Sequence, residues 1–294
     1  MSTPTQPRRR LAAVAGLVLA AGLLAGPLAS TSGAQPSVGV AEGAPPVACP
    51  APEGNARFVR FIYLNILFRC PDAAGSAYWT DRLDSGYSRS AFTLAIDMSS
   101  ENLVNNNVVP LYGGILQRDP TPAEVTDGVA EIRRLQWDGQ LIARLFSSDE
   151  FYDGLDAPPG AERDEQWLTI GYNNILDRDP DPAGAAYYLG LMGSPSTAAS
   201  RNRVATILEK SGENAQGWVF GAFFAGLNRP PDQAGFQYWT QWLRGPGQWR
   251  AFKMWTLILS SNEGYNRAQT QPSPEMLRSR VHPEGRVGKA DLAG

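Results

Sequence analysis

Three aspartates, Asp177, Asp179 and Asp181, alternate along the chain as the first three oxygen ligands of a calcium loop do. Such a loop continues with glycine and ends in a carboxylate, whereas Pro182 and Tyr188 stand at those places. A helix end, a turn and a helix N-cap account for all three aspartates, so no metal or cofactor is assigned. Four arginines, Arg69, Arg118, Arg178 and Arg229, each precede a proline by two residues. A guanidinium beside a helix N-terminus suits an anionic ligand, which makes Arg69, Arg178 and Arg229 candidate binding residues. The competing arrangement is a clamp to a backbone carbonyl or carboxylate across the turn. It is favoured because every copy keeps arginine while one lacks the accompanying aspartate. Eight tryptophans and ten tyrosines offer faces for sugar stacking. Aromatics at helical spacing belong to a core by default; Trp242 and Trp249 match no repeated position and are the candidate surface aromatics for a glycan. Asp149-Glu150 and Asp164-Glu165 invite a glycosidase reading, but nothing fixes two carboxylates at a set separation, and no catalytic residue is assigned.

The chain has 294 residues, 43% hydrophobic and 19% charged, a globular composition. Its net charge of -3 supplies no general attraction to nucleic acid or anionic lipid, and nucleic acid is not expected as a partner. The single histidine, His282, lies in a polar C-terminal stretch, which leaves the body without imidazole for a triad or proton shuttle. At the other end, Arg8, Arg9 and Arg10 precede an apolar run over residues 11–24 and then small residues, the order of a secretory signal over 1–34. The run is too short for a stable membrane span. The mature protein is therefore expected to be exported, extracellular or associated with the cell wall. Cys49 and Cys70 fall in the exported part, and a structural bridge is favoured over a reactive thiol.

The arginines belong to a longer pattern: aromatic, five residues, Arg, one residue, Pro. It recurs from Tyr63, Tyr112, Tyr172 and Phe223, with the arginines 49, 60 and 51 residues apart. Three copies continue as Pro-Asp-x-Ala-Gly, ending at Gly75, Gly184 and Gly235, and then carry Tyr78-Trp79, Tyr187-Tyr188 and Tyr238-Trp239. The stretch before each arginine has helical apolar spacing, as in Phe58, Ile62 and Ile66. Asp72, Thr121, Asp181 and Asp232 are expected to cap a second helix, and Thr121-Pro122-Ala123-Glu124 spells a capping box. Second helices should stop near Gly86, Gly139, Gly193 and Gly245, and a third, apolar helix should follow in each copy. Ser147-x-x-Glu150 and Ser260-x-x-Glu263 read as capping boxes that open a fourth piece, with Ser99-x-x-Asn102 as a weaker counterpart. No sustained alternation of β-branched residues appears, so the fold should be all-α: four related helical units of about fifty residues, packed as one or two compact bundles.

The organisation expected is a Pro/Gly-rich linker over 35–54, a repeat pair over 55–156, a linker over 157–163, a second pair over 164–267 and a disordered tail over 268–294. The repeated residues, from Tyr63 to Gly75 with Tyr78-Trp79, Tyr172 to Gly184 and Phe223 to Trp239, resemble the domain of unknown function 4214 family. Ser148-Asp149-Glu150-Phe151 resembles that family's closing element. Phe68, Gln117, Asp177 and Asn228 stand where the family usually has glycine, and the second copy lacks the Asp-x-Ala-Gly and Tyr-Trp elements. The resemblance implies a helical module of exported bacterial proteins, with no catalytic residues to carry over. The expected role is a non-catalytic surface for an envelope protein or glycan; the alternative is an envelope hydrolase working with carboxylates alone.

Overall fold

A computed structural model describes Cys49 and residues 51–270. The leader over 1–34, most of the 35–54 linker and residues 271–294 lie outside the described residues. Every regular element among the described residues is helical. Unit one holds α1 (Asn55–Ile62), which widens into π-helical turns at Tyr63–Leu67, then α2 (Ala73–Asp84) and α3 (Arg89–Asp97). In unit two, α4 (Ser100–Leu103), a π-helical stretch at Val104–Val108 and α5 (Val109–Leu116) run on without a break, followed by α6 (Pro122–Leu135) and α7 (Gly139–Ser147). The short α8 (Asp149–Asp153) leads to unit three: α9 (Ala161–Leu176), α10 (Pro182–Met192) and α11 (Ala198–Glu209). Unit four holds α12 (Gly212–Leu227), α13 (Gln233–Arg244) and α14 (Ala251–Leu259), and α15 (Asn262–Thr270) follows where a fifth copy would begin.

The repeat is thus three helices; the fourth piece expected from the sequence is the opening turn of the next first helix after unit one, where α4 runs on towards α5, and a helix of its own after units two and four, as α8 and α15. The second helix of each unit starts as the sequence requires. Asp72, Asp181 and Asp232 accept from the backbone N–H groups of Gly75, Gly184 and Gly235 at 2.8–2.9 Å. Thr121 and Glu124 form the complete capping box. These second helices are the outer layer, and each buries a large apolar side chain at the same offset from its cap: Leu83, Ile132, Met192 and Leu243. The third helices carry the core. α7 buries Leu141, Ile142, Leu145 and Phe146 and packs on α11, while α3 packs on α14. One buried cluster runs from Leu103 to Ile258, so the apolar faces on either side of the 154–160 break share a core.

Three local expectations are corrected. The caps that open α8 and α15 are Ser148 and Ser261, one residue after the serines read from the sequence, because their hydroxyls accept from Phe151 and Gly264. The second helix of unit two stops at Leu135, with Gln136 left-handed at φ 52°, while Gly139 already lies in α7. Residues 268–270, assigned to the tail, finish α15: Ala268 is buried, and Gln269 exchanges hydrogen bonds with the Gly54 backbone. Those bonds seat α15 against α1 and join the two ends of the repeat array. Cys49 and Cys70 are bonded, with Cα atoms 5.8 Å apart, and fasten the chain before α1 to the turn that follows its π-helical end. Among the described residues, no helix is long and apolar enough to cross a membrane.

Candidate functional site

Each first helix ends on a residue in the left-handed region: Phe68, Gln117, Asp177 and Asn228, at φ 53–57°. This reversal turns the following arginine back over the helix end, with its guanidinium 5.0–5.3 Å from the ring of Tyr63, Tyr112, Tyr172 or Phe223. The aromatic six residues earlier is therefore the seat of the arginine. The guanidinium then meets a glutamate from the opening turn of the next first helix or its counterpart: Arg69 with Glu101, Arg118 with Glu150, Arg178 with Glu213, Arg229 with Glu263. Every pair is a two-point fork. In Arg178, Nε donates to Glu213 Oε1 at 2.7 Å and Nη2 to Oε2 at 2.9 Å, and Nη1 donates to the Asp179 carbonyl at 3.1 Å. The clamp reaches the backbone across the turn, as the sequence suggested, and Arg178 also lies 3.5 Å from Asp181. The carboxylate that takes the two-point fork comes from the next first helix or its counterpart, so the clamp joins successive units. The forks hold Glu101 and Glu263 below the usual glutamate range through their hydrogen bonds to arginine.

Unit two departs from this pattern in a consistent way. Glu124 replaces the glycine of the other copies and gives Arg118 a second carboxylate, with bonds of 2.7 and 2.9 Å. The Arg118 hydrogen bond brings the Glu124 carboxyl down to about 2. Of the three alternating aspartates, Asp177 is the left-handed residue, Asp179 accepts from Asn173 at 2.8 Å and Asp181 is the cap of α10.

The aromatics divide into two faces. Trp79, Tyr188 and Trp239 lean inward on the core, whereas the preceding Tyr78, Tyr187 and Tyr238 are 52%, 58% and 58% exposed. Each tyrosine stands edge-on to its neighbour with ring centres 4.9–5.1 Å apart. Trp249 is not a surface aromatic: Gln248 and Trp249 both take positive φ, and the indole turns inward to lie 6.0 Å from Trp137. Trp242 is half-buried and edge-on to Trp239.

The sequence reading passed over a polar interior. Asp97 ends α3, is buried, and accepts from the side chain of Asn102 at 3.1 Å. Glu209 ends α11, is buried, and accepts from Asn214 at 3.1 Å. These are the same two places in units one and three. Unit two fills them with Phe146 and Phe151, whose rings lie 4.6 Å apart, and unit four with Leu259 and Gly264. Asp138, buried ahead of α7, adds its charge to both acids. Burial pushes Asp97 up to about 8 and Asp138 up to about 6, and raises Glu209 as well. Among the described residues no lysine or arginine is ion-paired with any of the three. A cavity of about 60 Å³ opens where units one, two and four meet, and Asp97, Asn107, Asp138, Trp218 and Phe252 stand in its wall. A carboxylate oxygen of Asp138 and the indole nitrogen of Trp218 have no hydrogen-bond partner. The detectable signal was an acid at the third-helix position that is apolar in the other two copies.

Two stretches, residues 52–106 and 142–218, match the family described as Domain of unknown function (DUF4214). No curated protein and no solved structure matches the chain. Each matched stretch contains a whole arginine–glutamate fork, Arg69–Glu101 or Arg178–Glu213, and a whole acid–asparagine pair, Asp97–Asn102 or Glu209–Asn214. The match to the DUF4214 family thus covers two stretches, each holding one fork and one acid–asparagine pair.

Proposed function

We propose that the protein is an exported helical module without chemistry of its own, presenting an interaction surface to a protein or glycan at the bacterial cell envelope. The observation that carries this reading is the recurrence of exposed Tyr78, Tyr187 and Tyr238 at one repeat position. Their ring partners do the packing, so the fold itself does not require these tyrosines outside, and rings that recur at one position in units one, three and four suit a partner that is itself repetitive. The arginines are already engaged within the chain and are not invoked. Export is supported by the leader-like residues 1–34 and by the Cys49–Cys70 bond, a bond at home in an oxidising compartment.

The test is cosedimentation of the mature chain with isolated envelope and with purified envelope polysaccharide. The variant Y78A/Y187A/Y238A should keep the helical circular dichroism and melting temperature while losing at least about tenfold in binding, equivalent to roughly 1.4 kcal/mol. Undiminished binding by that variant overturns the tyrosine surface. The hydrolase reading is favoured by one observation, the convergence of Asp97 and Asp138 on a single cavity that breaks the repeat symmetry. Release of reducing ends from envelope glycan, abolished by D97N, would establish it over the binding reading.

A further inference from the structure

The four fork arginines, Arg144 and Arg201 all meet a carboxylate. Five other cations gather where units two, three and four adjoin, and among the described residues none of them is ion-paired. The Gln136 carbonyl accepts from the Phe252 N–H at 3.0 Å, which sets the end of α6, with Arg133 and Arg134, against the start of α14, with Arg250 and Lys253. Lys210, just past α11, holds Nζ 5.2 Å from the ring centre of Trp137, the indole that lies 6.0 Å from Trp249. Lys253 is half-buried and the other four are exposed. Acids of the same segments do not offset them at the surface: Asp138 and Glu209 are buried, Glu131 is held by Arg144 and Glu213 by Arg178. Residues 233–262 contain no Asp or Glu at all.

Arg133, Arg134 and Lys210 stand at helix C-termini, where the helix dipole suits a cation. Arg250 and Lys253 stand at the opposite end. Arg250 is the cap residue of α14 and Lys253 lies in its first turn, with no side-chain cap and no acid. In contrast, α3 and α11 open on Ser88 and Thr197, whose hydroxyls accept from the backbone. The dipole disfavours both cations of α14, so helix stability gives no reason for them. A partner that answers them is anionic. Trp137 and Trp249 are 3% and 8% exposed, so they supply no aromatic anchor for a protein interface, no apolar face to enter a bilayer and no platform for stacked bases. Cations drawn from three units suit a chain bearing several charges, not one small anion. We propose that this patch binds a linear polyanion of the cell envelope, a polymer carrying a carboxylate or phosphate on each repeat. The proposal rests on the envelope reading for the source of the polymer and adds its charge; the patch is a different surface from the exposed tyrosines.

The experiment is calorimetric titration of the mature chain with polygalacturonate, with inorganic polyphosphate, with neutral dextran and with vesicles of equal phosphatidylglycerol and phosphatidylcholine. At least one of the two polyanions should bind, more weakly as salt is raised, and dextran should not. The tighter of the two identifies the charged group as carboxylate or phosphate. R250S/K253Q, which restores a cap and removes both cations from the first turn of α14, should lose at least about tenfold in binding, equivalent to roughly 1.4 kcal/mol, without a lower melting temperature. Silence with both polyanions overturns the proposal; so does undiminished binding by R250S/K253Q, or tighter binding to the vesicles than to either polymer. If R250S/K253Q does not fold, R134Q/K210Q decides, and undiminished binding there overturns the proposal equally. Y78A/Y187A/Y238A should bind the polyanion as the wild-type chain does, so the tyrosine surface can fail while the patch stands. Loss in the tyrosine variant as large as in R250S/K253Q would place the polymer on the tyrosines and overturn the patch.

Discussion

Arg178 and Glu213 lie 35 residues apart in sequence and meet as a two-point fork, Nε to Oε1 at 2.7 Å and Nη2 to Oε2 at 2.9 Å. The arginine follows the first helix of unit three and the glutamate sits in the opening turn of the first helix of unit four, where a negative charge also suits the helix dipole. Because the side chains are 36% and 40% exposed, solvent screening limits the pair to about 0.5–1 kcal/mol. R178A should therefore lower the melting temperature by about 2–4 °C per kcal/mol lost, and R178K should recover only part of it, since an ammonium cannot form the fork. The cycle of R178A, E213A and the double variant should show a coupling of at least about 0.5 kcal/mol. Additive effects would mean that the fork contributes nothing in solution.

Phe68 occupies the left-handed region at φ 53° and its side chain is 45% exposed. A bulky residue there costs about 1–2 kcal/mol relative to glycine, little apolar burial offsets it, and F68G should raise the melting temperature. Q117G should do the same. D177G and N228G should gain less, because Asp and Asn tolerate this conformation. A fall in stability for F68G would show that the exposed ring serves the fold. A rise accompanied by loss of binding would place Phe68 on the contact surface.

The buried acids set an unusual pH dependence. Asp97 is raised to about 8 and Asp138 to about 6, and Glu209 is raised too, in each case by burial first. The groups facing Asp97 are Asn102 and Thr256, with Asp138 nearby; those facing Glu209 are Asn214 and again Asp138. The folded chain then holds more protons than the unfolded chain between about pH 4 and pH 8, so stability falls as pH rises through that window. The fork glutamates have the opposite sign: lowered in the folded state, they withdraw stability only as pH drops below the ordinary glutamate value. The midpoint of urea unfolding should be higher at about pH 5 than at about pH 8, and D97N should flatten the slope. A midpoint that climbs steadily across this range would mean that these carboxyls are not protonated in the fold.

The sequence revealed what is local. Caps at Asp72, Thr121, Asp181 and Asp232 lie within three residues of the groups they satisfy, so their chemistry is written in adjacent letters. The fork is not local: Glu101 lies 32 residues after Arg69, and the doublet Ser147-Ser148 allowed a cap placement that assigned Glu150 to the wrong task. Trp249 was misread because absence from the repeat was equated with exposure, whereas two consecutive positive-φ residues fold its indole inward. Asp97 and Glu209 were visible as acids on apolar faces, yet each also reads as an ordinary charge at a helix end. Only the packing of α3 against α14 and of α7 against α11 puts them inside.

The glycine that closes Pro-Asp-x-Ala-Gly lies under the tip of the aromatic that opens the unit. A methyl group at Gly184 would stand 2.6 Å from the Tyr172 hydroxyl oxygen, and one at Gly75 would stand 3.0 Å from that of Tyr63. In unit four the opening aromatic is Phe223, and a methyl at Gly235 would lie 3.5 Å from its ring, an ordinary contact. All three glycines are helical, where alanine is otherwise better by about 1 kcal/mol. G235A should therefore raise the melting temperature, whereas G184A should lower it. The difference rests chiefly on the Tyr172 hydroxyl oxygen, since the cap aspartate stands close in both copies, at 3.2 Å from a methyl at Gly184 and 3.4 Å from one at Gly235, and Y172F/G184A should recover most of what G184A loses. Failure of that rescue, with Y172F alone well folded, would show that Gly184 is required by the backbone and not by the hydroxyl above it.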